Sequence, residues 1–439
     1  MKYSIKTGIY IGFFLIFIFN LISCKFLEKN LVASEEIDTI ATITKDDESA
    51  LNEAIKILNK KGGIIYINTP VINLSSKYPI KISGTAAGGI IGMEQSNGEY
   101  PIFDLTNARN ENTKQCGIEI SGSNKFVKYL IIENASNKGI WITGTKNTID
   151  HIISRYNDAS GIQVSHGAES NTINYCWVYR NCDVKGFGGG ADGFSPKLNA
   201  KDTIFNYCYA WDNSDDGWDA FDKEGDVTNS IIMTHSACWN NGNVDVFTGK
   251  YDYENGIELD KKMLSIQQLM KSDKNFEENY KNKKFSIDNG KIAGIDAKEW
   301  VDKATEEMNG NGFKLGSAIT LKSPEIVRVA DYCVVFDHKK KGFDNNNSQN
   351  CTGAFTNCVS FNNNINYMLP YTFTKWSNNW SWNALKAEQK SMDEILLKPS
   401  NPDSAIREFY SVRDEIIKTV KANKFPDNIN FDKVIKGLK

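Results

Sequence analysis

Histidine is scarce in this chain, with four among 439 residues, and a strong net charge is absent, the formal value being −3. From the four histidines no Ser-His-Asp arrangement emerges. The second, with 24% charged residues, excludes a basic nucleic-acid binder and a disordered polyelectrolyte. Leucines at a fixed repeat are missing too, which removes a leucine-rich repeat, and the repeated segments lack a 3.6-residue period. What the chain does have is 11% aromatic residues and an abundance of asparagine in its middle. Its length allows one large domain or two ordinary ones.

The N-terminus reads as a processing segment and stands outside the fold. Lys2 and Lys6 precede the apolar run "GIYIGFFLIFIFNLIS", which stops at Cys24. "LISC", Leu21 to Cys24, resembles a bacterial lipobox, and the small Ser23 favours cleavage. A transmembrane anchor is the alternative, but the run is short for a span of about 20 residues. Residues 1–23 are therefore expected to be a lipoprotein signal peptide, and residues 24–44 a tether from a lipidated Cys24 to a membrane. The expected location is the cell surface or periplasm, or the exterior if the protein is released.

Cysteine usage points to a repeat. Apart from Cys24, five cysteines recur in one setting: "YCW" at Cys176, "YCY" at Cys208, "ACW" at Cys238, "YCV" at Cys333 and "NCV" at Cys358. An exported protein can form disulfides, but such recurrence favours equivalent buried thiols that act as small hydrophobes. The settings belong to a longer pattern, seen in "YLIIENASNKGIWI", "HIISRYNDASGIQV", "YCWVYRNCDVKGF", "YCYAWDNSDDGWDAF" and "YCVVFDHKKKGFDNN". Each has a short alternating strand, a polar turn near an asparagine, then a glycine before the next strand.

The asparagines read Asn134, Asn157, Asn181, Asn213, Asn243 and Asn363, with His338 where another is due. A period of roughly 22–25 residues indicates a solenoid. Its β-branched, aromatic, period-two segments indicate a parallel β-helix. Stacked asparagines then form a ladder through the turns.

The β-helix is expected over residues 45–385. The amphipathic "KDDESALNEAIKILNKKGG" at 45–63 covers the open end of its core. Residues 250–308 read as a helical excursion from one turn, with Met263, Ile266 and Met270 on one face and Trp300, Ala304 and Met308 on another. Residues 386–439 read as a C-terminal tail packing on the β-helix, and the protein as a monomer.

"NSDDGWDAFD", residues 213–222, places four aspartates in ten positions. Trp218 and Phe221 are assigned to the core, so the acids gather on one side of a coil. A solvated turn would leave that repulsion uncompensated. An EF-hand fails, because its twelfth position is Lys223 and a strand pattern precedes the loop. The third reading is a calcium site. One coil earlier "ADGF" sets Asp192 at the turn equivalent to Asp215 and Asp216, and Asp219 closes the cluster.

The motifs "ADGF", "NSDDGWD", "GNGFKLG" and "KGFDNNN…NCVSFNNNINY", in this order, resemble those of polysaccharide lyase family 9. Those are pectate lyases built on a right-handed parallel β-helix, and the likeness covers roughly residues 45–385 outside the excursion. The resemblance implies Ca²⁺ ligands at Asp192, Asp215, Asp216 and Asp219 and a lysine base at Lys314. It implies β-elimination of an acidic polysaccharide, polygalacturonate, giving unsaturated products. The lysine must be neutral to serve, and a nearby cation or desolvation would lower its pKa toward that state. Lys339, Lys340 and Lys341 are candidates for binding substrate carboxylates. A glycoside hydrolase on the same fold, using paired aspartates and no lysine, and a non-catalytic glycan-binding β-helix remain alternatives.

Overall fold

The computed structural model describes residues 37–439 apart from 76–79, 109–114, 185, 224–225, 249–290, 293–294, 309, 317–325, 347–350, 370–371, 387–394 and 439. Short strands wind into stacked coils whose mutual pairings are all parallel, forming an 18-stranded sheet and a 9-stranded sheet. The 9-stranded sheet makes one face of the solenoid. Its successive rungs include Ile140–Ile142, Ile162–Val164, Phe194–Pro196, Trp218–Asp219, Phe313–Lys314 and Lys341–Asp344. Fold class and direction of pairing agree with the sequence reading.

A column of polar side chains runs through the buried corners. Asn157 Nδ2 donates to Asn181 Oδ1 at 2.9 Å, Asn181 to Asn213 at 2.8 Å, and Asn213 to Asn241 at 2.9 Å. His338 continues the column as an asparagine mimic. Its Nε2 accepts from Asn241 at 3.1 Å, and its Nδ1 faces Asn363 Oδ1 at 3.2 Å. Burial holds this imidazole neutral, its pKa lowered to about 3 despite the bond to Asn363. Two expected members are displaced. The ladder residue is Asn241, whereas Asn243 caps outward onto Asn240, and Ala135 stands where Asn134 was expected. Asn134 occupies the corner position before the ladder, with φ of 68°, like Arg180, Asp212 and Asn362 in their coils.

The core along the 9-stranded face is an aromatic stack. Phe194, Trp218, Phe313, Phe343 and Tyr367 follow one another at centroid separations of 4.5, 4.6, 5.0 and 5.0 Å. Cys176, Cys208, Cys238, Cys333 and Cys358 are free, buried thiols. Cys238 is not equivalent to the others, because the ladder pairs it with Ala210 and Val335. Ser236 takes the matching place, accepting from the Cys208 amide. The tripeptide likeness is offset by two residues, which preserves the inward direction of a strand side chain.

At the N-terminal end, helix Glu48–Lys61 is capped by Asp47, which accepts from the Ala50 amide at 2.9 Å. Its Leu51, Ala54, Ile55 and Leu58 enter the core cluster. Thr39–Ile43, within the segment expected to be tether, is a strand paired with Gly63–Ile67. The ordered chain therefore begins before residue 45.

Of the excursion, Met263, Ile266, Met270 and the Trp300 side chain lie outside the described residues. Helix Ala297–Glu307 is present, with Ala304 and Met308 buried. Helices Pro402–Lys421 and Asp432–Gly437 share a buried cluster with strands of the 18-stranded sheet. In it Phe409 and Phe431 join Trp211, Trp239 and Phe361.

Candidate active site

The register explains how residues distant in sequence meet on one face. Phe194 pairs with Trp218 and Trp218 with Phe313. Asp192, Asp216 and Asn311 consequently stack in one column, two residues before each aromatic. Asp219 pairs directly with Lys314, and Lys314 with Asp344. The aromatic points inward and its successor outward, as alternation in a strand requires, so Asp219, Lys314 and Asp344 line the outer face.

Asp192, Asp216 and Asp219 are buried, and one oxygen from each comes within 4.8 Å of the others. Two ammonium groups lie among them. Lys314 Nζ is 2.9 Å from Asp216 Oδ2 and 3.3 Å from Asp219 Oδ1. Lys197 Nζ is 2.8 Å from Asp192 Oδ2 and 3.0 Å from Asp219 Oδ2. The second oxygen of Asp216 accepts from the Asn311 amide at 3.0 Å and its Nδ2 at 2.9 Å. Ser195 Oγ donates to Asp192 at 2.7 Å. Of the four expected ligands, three converge. Asp215 is turned aside, accepting from the Gly190 amide at 2.6 Å, although its charge still reaches Lys314. The fourth acid of the motif, Asp222, ties a turn by accepting from Thr228 and Asn199.

The electrostatics of this cluster are strongly coupled. Burial pushes Asp216 up to about 6, with Lys314 pulling the other way and Asp219 and Asp192 adding to the rise. Burial and the neighbouring acids Asp216 and Asp192 hold Asp215 well above the carboxylate range. Burial would raise Asp219 as well, but Lys197 and Lys314 hold it below the ordinary value. For Lys314, burial acts downward and is outweighed by Asp216, Asp219, Asp215 and Asp192, so its ammonium form is favoured. Asp192 and Asp219 do the same for Lys197. Among the protein groups alone, the four acids outweigh desolvation and keep Lys314 charged.

Lys197 was missed by the sequence reading. The signal was available, since Ser195 and Lys197 alternate outward from the strand after Asp192, one coil below Asp219. Arg328, fully buried, was also missed. Its Nε donates to the Leu315 carbonyl at 2.5 Å and an Nη to the Thr228 carbonyl at 3.0 Å, bracing the chain just after Lys314. Lys341 pairs with Asp344 at 3.0 Å one coil beyond Lys314, while Lys339 and Lys340 are exposed.

The class defined by these observations is a parallel β-helix with a buried acid–lysine cluster on its outer face. The chain belongs to the family described as "Pel9A-like, right handed beta helix region", whose model matches residues 31–272. It is 28% identical over 252 residues to pectate lyase L of Dickeya chrysanthemi, covering 57% of this chain and 44% of that protein. It is 26% identical to pectate lyase L of Paenibacillus polymyxa (strain SC2), over 48% of this chain and 49% of that one. The chain thus spans about half the length of the curated relatives it matches. Among solved structures, it is similar to pectate lyase Pel9A with a TM-score of 0.53 and 21% identity, covering 83% of this chain and 80% of that one. A rhamnogalacturonan lyase gives a TM-score of 0.54 at 16% identity, over 80% and 84%. These structural likenesses concern the fold.

Proposed function

We propose that the protein is a calcium-dependent pectate lyase that cleaves 4-linked galacturonan by β-elimination, with Lys314 as the base. The observation that carries this reading is the contact of Lys314 with Asp216 and Asp219, two members of a converging carboxylate set. That set fits calcium, because buried carboxylates with convergent oxygens are the hard donors it prefers. Calcium held by Asp192, Asp216 and Asp219 would supply positive charge beside the substrate carboxylate, making the adjacent C5 proton more acidic.

Burial and its neighbours hold Asp215 well above the carboxylate range, so the three converging carboxylates face two ammonium groups and leave a formal charge of minus one, which favours a bound cation. With the carboxylates so engaged, the influences that keep Lys314 protonated weaken and its burial favours the neutral amine. Neutral Lys314 Nζ takes the C5 proton. The electron pair left behind forms the C4–C5 double bond, the C4–O bond breaks, and the departing oxygen is protonated by solvent. Asn311 and Arg328 hold Asp216 and the strand of Lys314 in place while this happens. Export and a tether at Cys24 suit an enzyme whose substrate is an extracellular polymer.

The test is incubation with polygalacturonate, with and without chelator. Growth of ultraviolet absorbance from an unsaturated product, abolished by chelator, is expected. New reducing ends without absorbance would replace the lyase with a hydrolase, and neither product would leave a glycan-binding protein.

A further inference from the structure

The outward column that carries Asp219 and Lys314 runs back along the face through Ser195 and Gln163 to Trp141. Trp141 is half-buried, unlike Trp177, Trp211, Trp218 and Trp239, which are enclosed. Its indole N–H donates to Ser165 Oγ at 2.9 Å, which fixes the ring on the sheet. Lys138 Nζ stands 5.2 Å from the ring centroid, and the exposed His166 ring meets it edge-on at 5.6 Å. This is an apolar plate with an ammonium over one face and an imidazole against its edge. Such a plate suits a sugar ring that presents C–H bonds to the indole and a carboxylate to an ammonium.

Position along the solenoid gives the plate its meaning. Three coils separate Trp141 from Asp219 and four separate it from Lys314, so at about 4.8 Å per coil the indole lies ~14 and ~19 Å away. Several sugar units are needed to reach that far. Between Trp141 and Asp219 the column holds Gln163 and Ser195, which are buried and polar and bring no charge against a polyanion. On the other side of Trp141 the column reaches Glu119, paired with Lys81 at 2.9 Å. An acid there gives a polyuronate no further foothold.

We infer that Trp141, Lys138 and His166 form a distal subsite that holds one uronate unit of the polymer whose scissile bond lies at the acid–lysine cluster. This rests on the proposed reading of that cluster. The subsite serves long substrates only, because a short oligomer bound for cleavage does not extend to it.

Trp141→Ala in the full chain tests it, using initial rates of unsaturated product from polygalacturonate and from trigalacturonate at saturating calcium. The apparent KM for the polymer should rise about tenfold, the size of one good aromatic contact. The kcat and the trimer's constants should stay unchanged, and Trp141→Phe should recover most of the loss. An unchanged polymer KM, or equal changes for both substrates, would overturn the subsite. Affinity electrophoresis through polygalacturonate gels keeps the test independent of turnover. Retardation should weaken in Trp141→Ala relative to the parent, and equal retardation refutes the subsite even if no unsaturated product is ever formed.

Discussion

Replacing Lys197 by methionine removes a charge from the acid cluster while keeping most of the side-chain volume. Lys197 contacts Asp192 at 2.8 Å and Asp219 at 3.0 Å, and both acids are buried. Breaking a buried ion pair from one side costs about 3–5 kcal/mol, because the remaining charge is left uncompensated. In protein stripped of divalent cations this strain falls on Asp192 and Asp219. In the proposed site calcium would relieve it by occupying the same oxygens, and it would no longer have to displace the ammonium. Relaxation and solvent entry at the vacated place reduce the full cost to roughly 1.4–2.8 kcal/mol, equivalent to ten- to hundredfold tighter calcium binding. Titration calorimetry on chelator-treated protein reads the affinity, and thermal melts with and without calcium read the stability. The expected signature is a lower melting temperature without calcium and a larger upward shift on adding it. Calcium binding that is unchanged or weaker would refute the argument, leaving Lys197 as a residue that orients the ligands and does not compete for them.

Lys314→Ala should retain calcium and substrate binding while losing orders of magnitude in turnover, and Lys314→Arg should not restore it, because a guanidinium resists deprotonation; parallel kcat and binding measurements check this. Calcium affinity should fall as pH drops through about 6, the value to which Asp216 is pushed. Protons then compete for a ligand oxygen well above the ordinary carboxylate value of 3.8, and calcium titrations on either side of pH 6 decide the point. Asn213→Ala should destabilise the fold by on the order of 3 kcal/mol, since it strips partners from the buried amides of Asn181 and Asn241. A denaturant midpoint close to the parent's would show that the ladder is not a source of stability.

The solenoid was legible because each coil repeats one inward pattern, and Trp218 over Phe194 follows from counting residues between glycines. The offsets were not. Asn243 and Asn241 are both asparagines after a tryptophan, and only backbone pairing selects Asn241. "ACW" matches its neighbours by letters, but the cysteine sits two places along the coil, where alternation still points it inward. The acids of the site were visible as an anomaly in charge. Of their counter-charges, Lys314 was picked out through its motif, whereas Lys197 was passed over because lysines are common and only strand alternation marks it. Its role comes from the column that lies one coil away. The turn of Asp215 toward Gly190 is likewise a matter of loop 186–190, whose path no periodicity specifies.

The ion pairs of Lys314 tie the proposed base to the proposed ligands, and this coupling has a consequence for control. A lysine buried beside four acids is held as ammonium, and in that form it cannot accept a proton. The acids proposed to bind calcium are the same groups that keep Lys314 charged, so occupation of the metal site and activation of the base would be one event. Calcium would then govern kcat through Lys314 as well as substrate binding through its own charge. The coupling also answers how so many acids survive folding on a chain with little net charge. Lys197 and Lys314 offset part of their charge as the coils close, and the register sets each lysine beside an acid. A cluster assembled without those lysines would have to fold around uncompensated carboxylates, and it would depend on calcium for its structure as well as its chemistry.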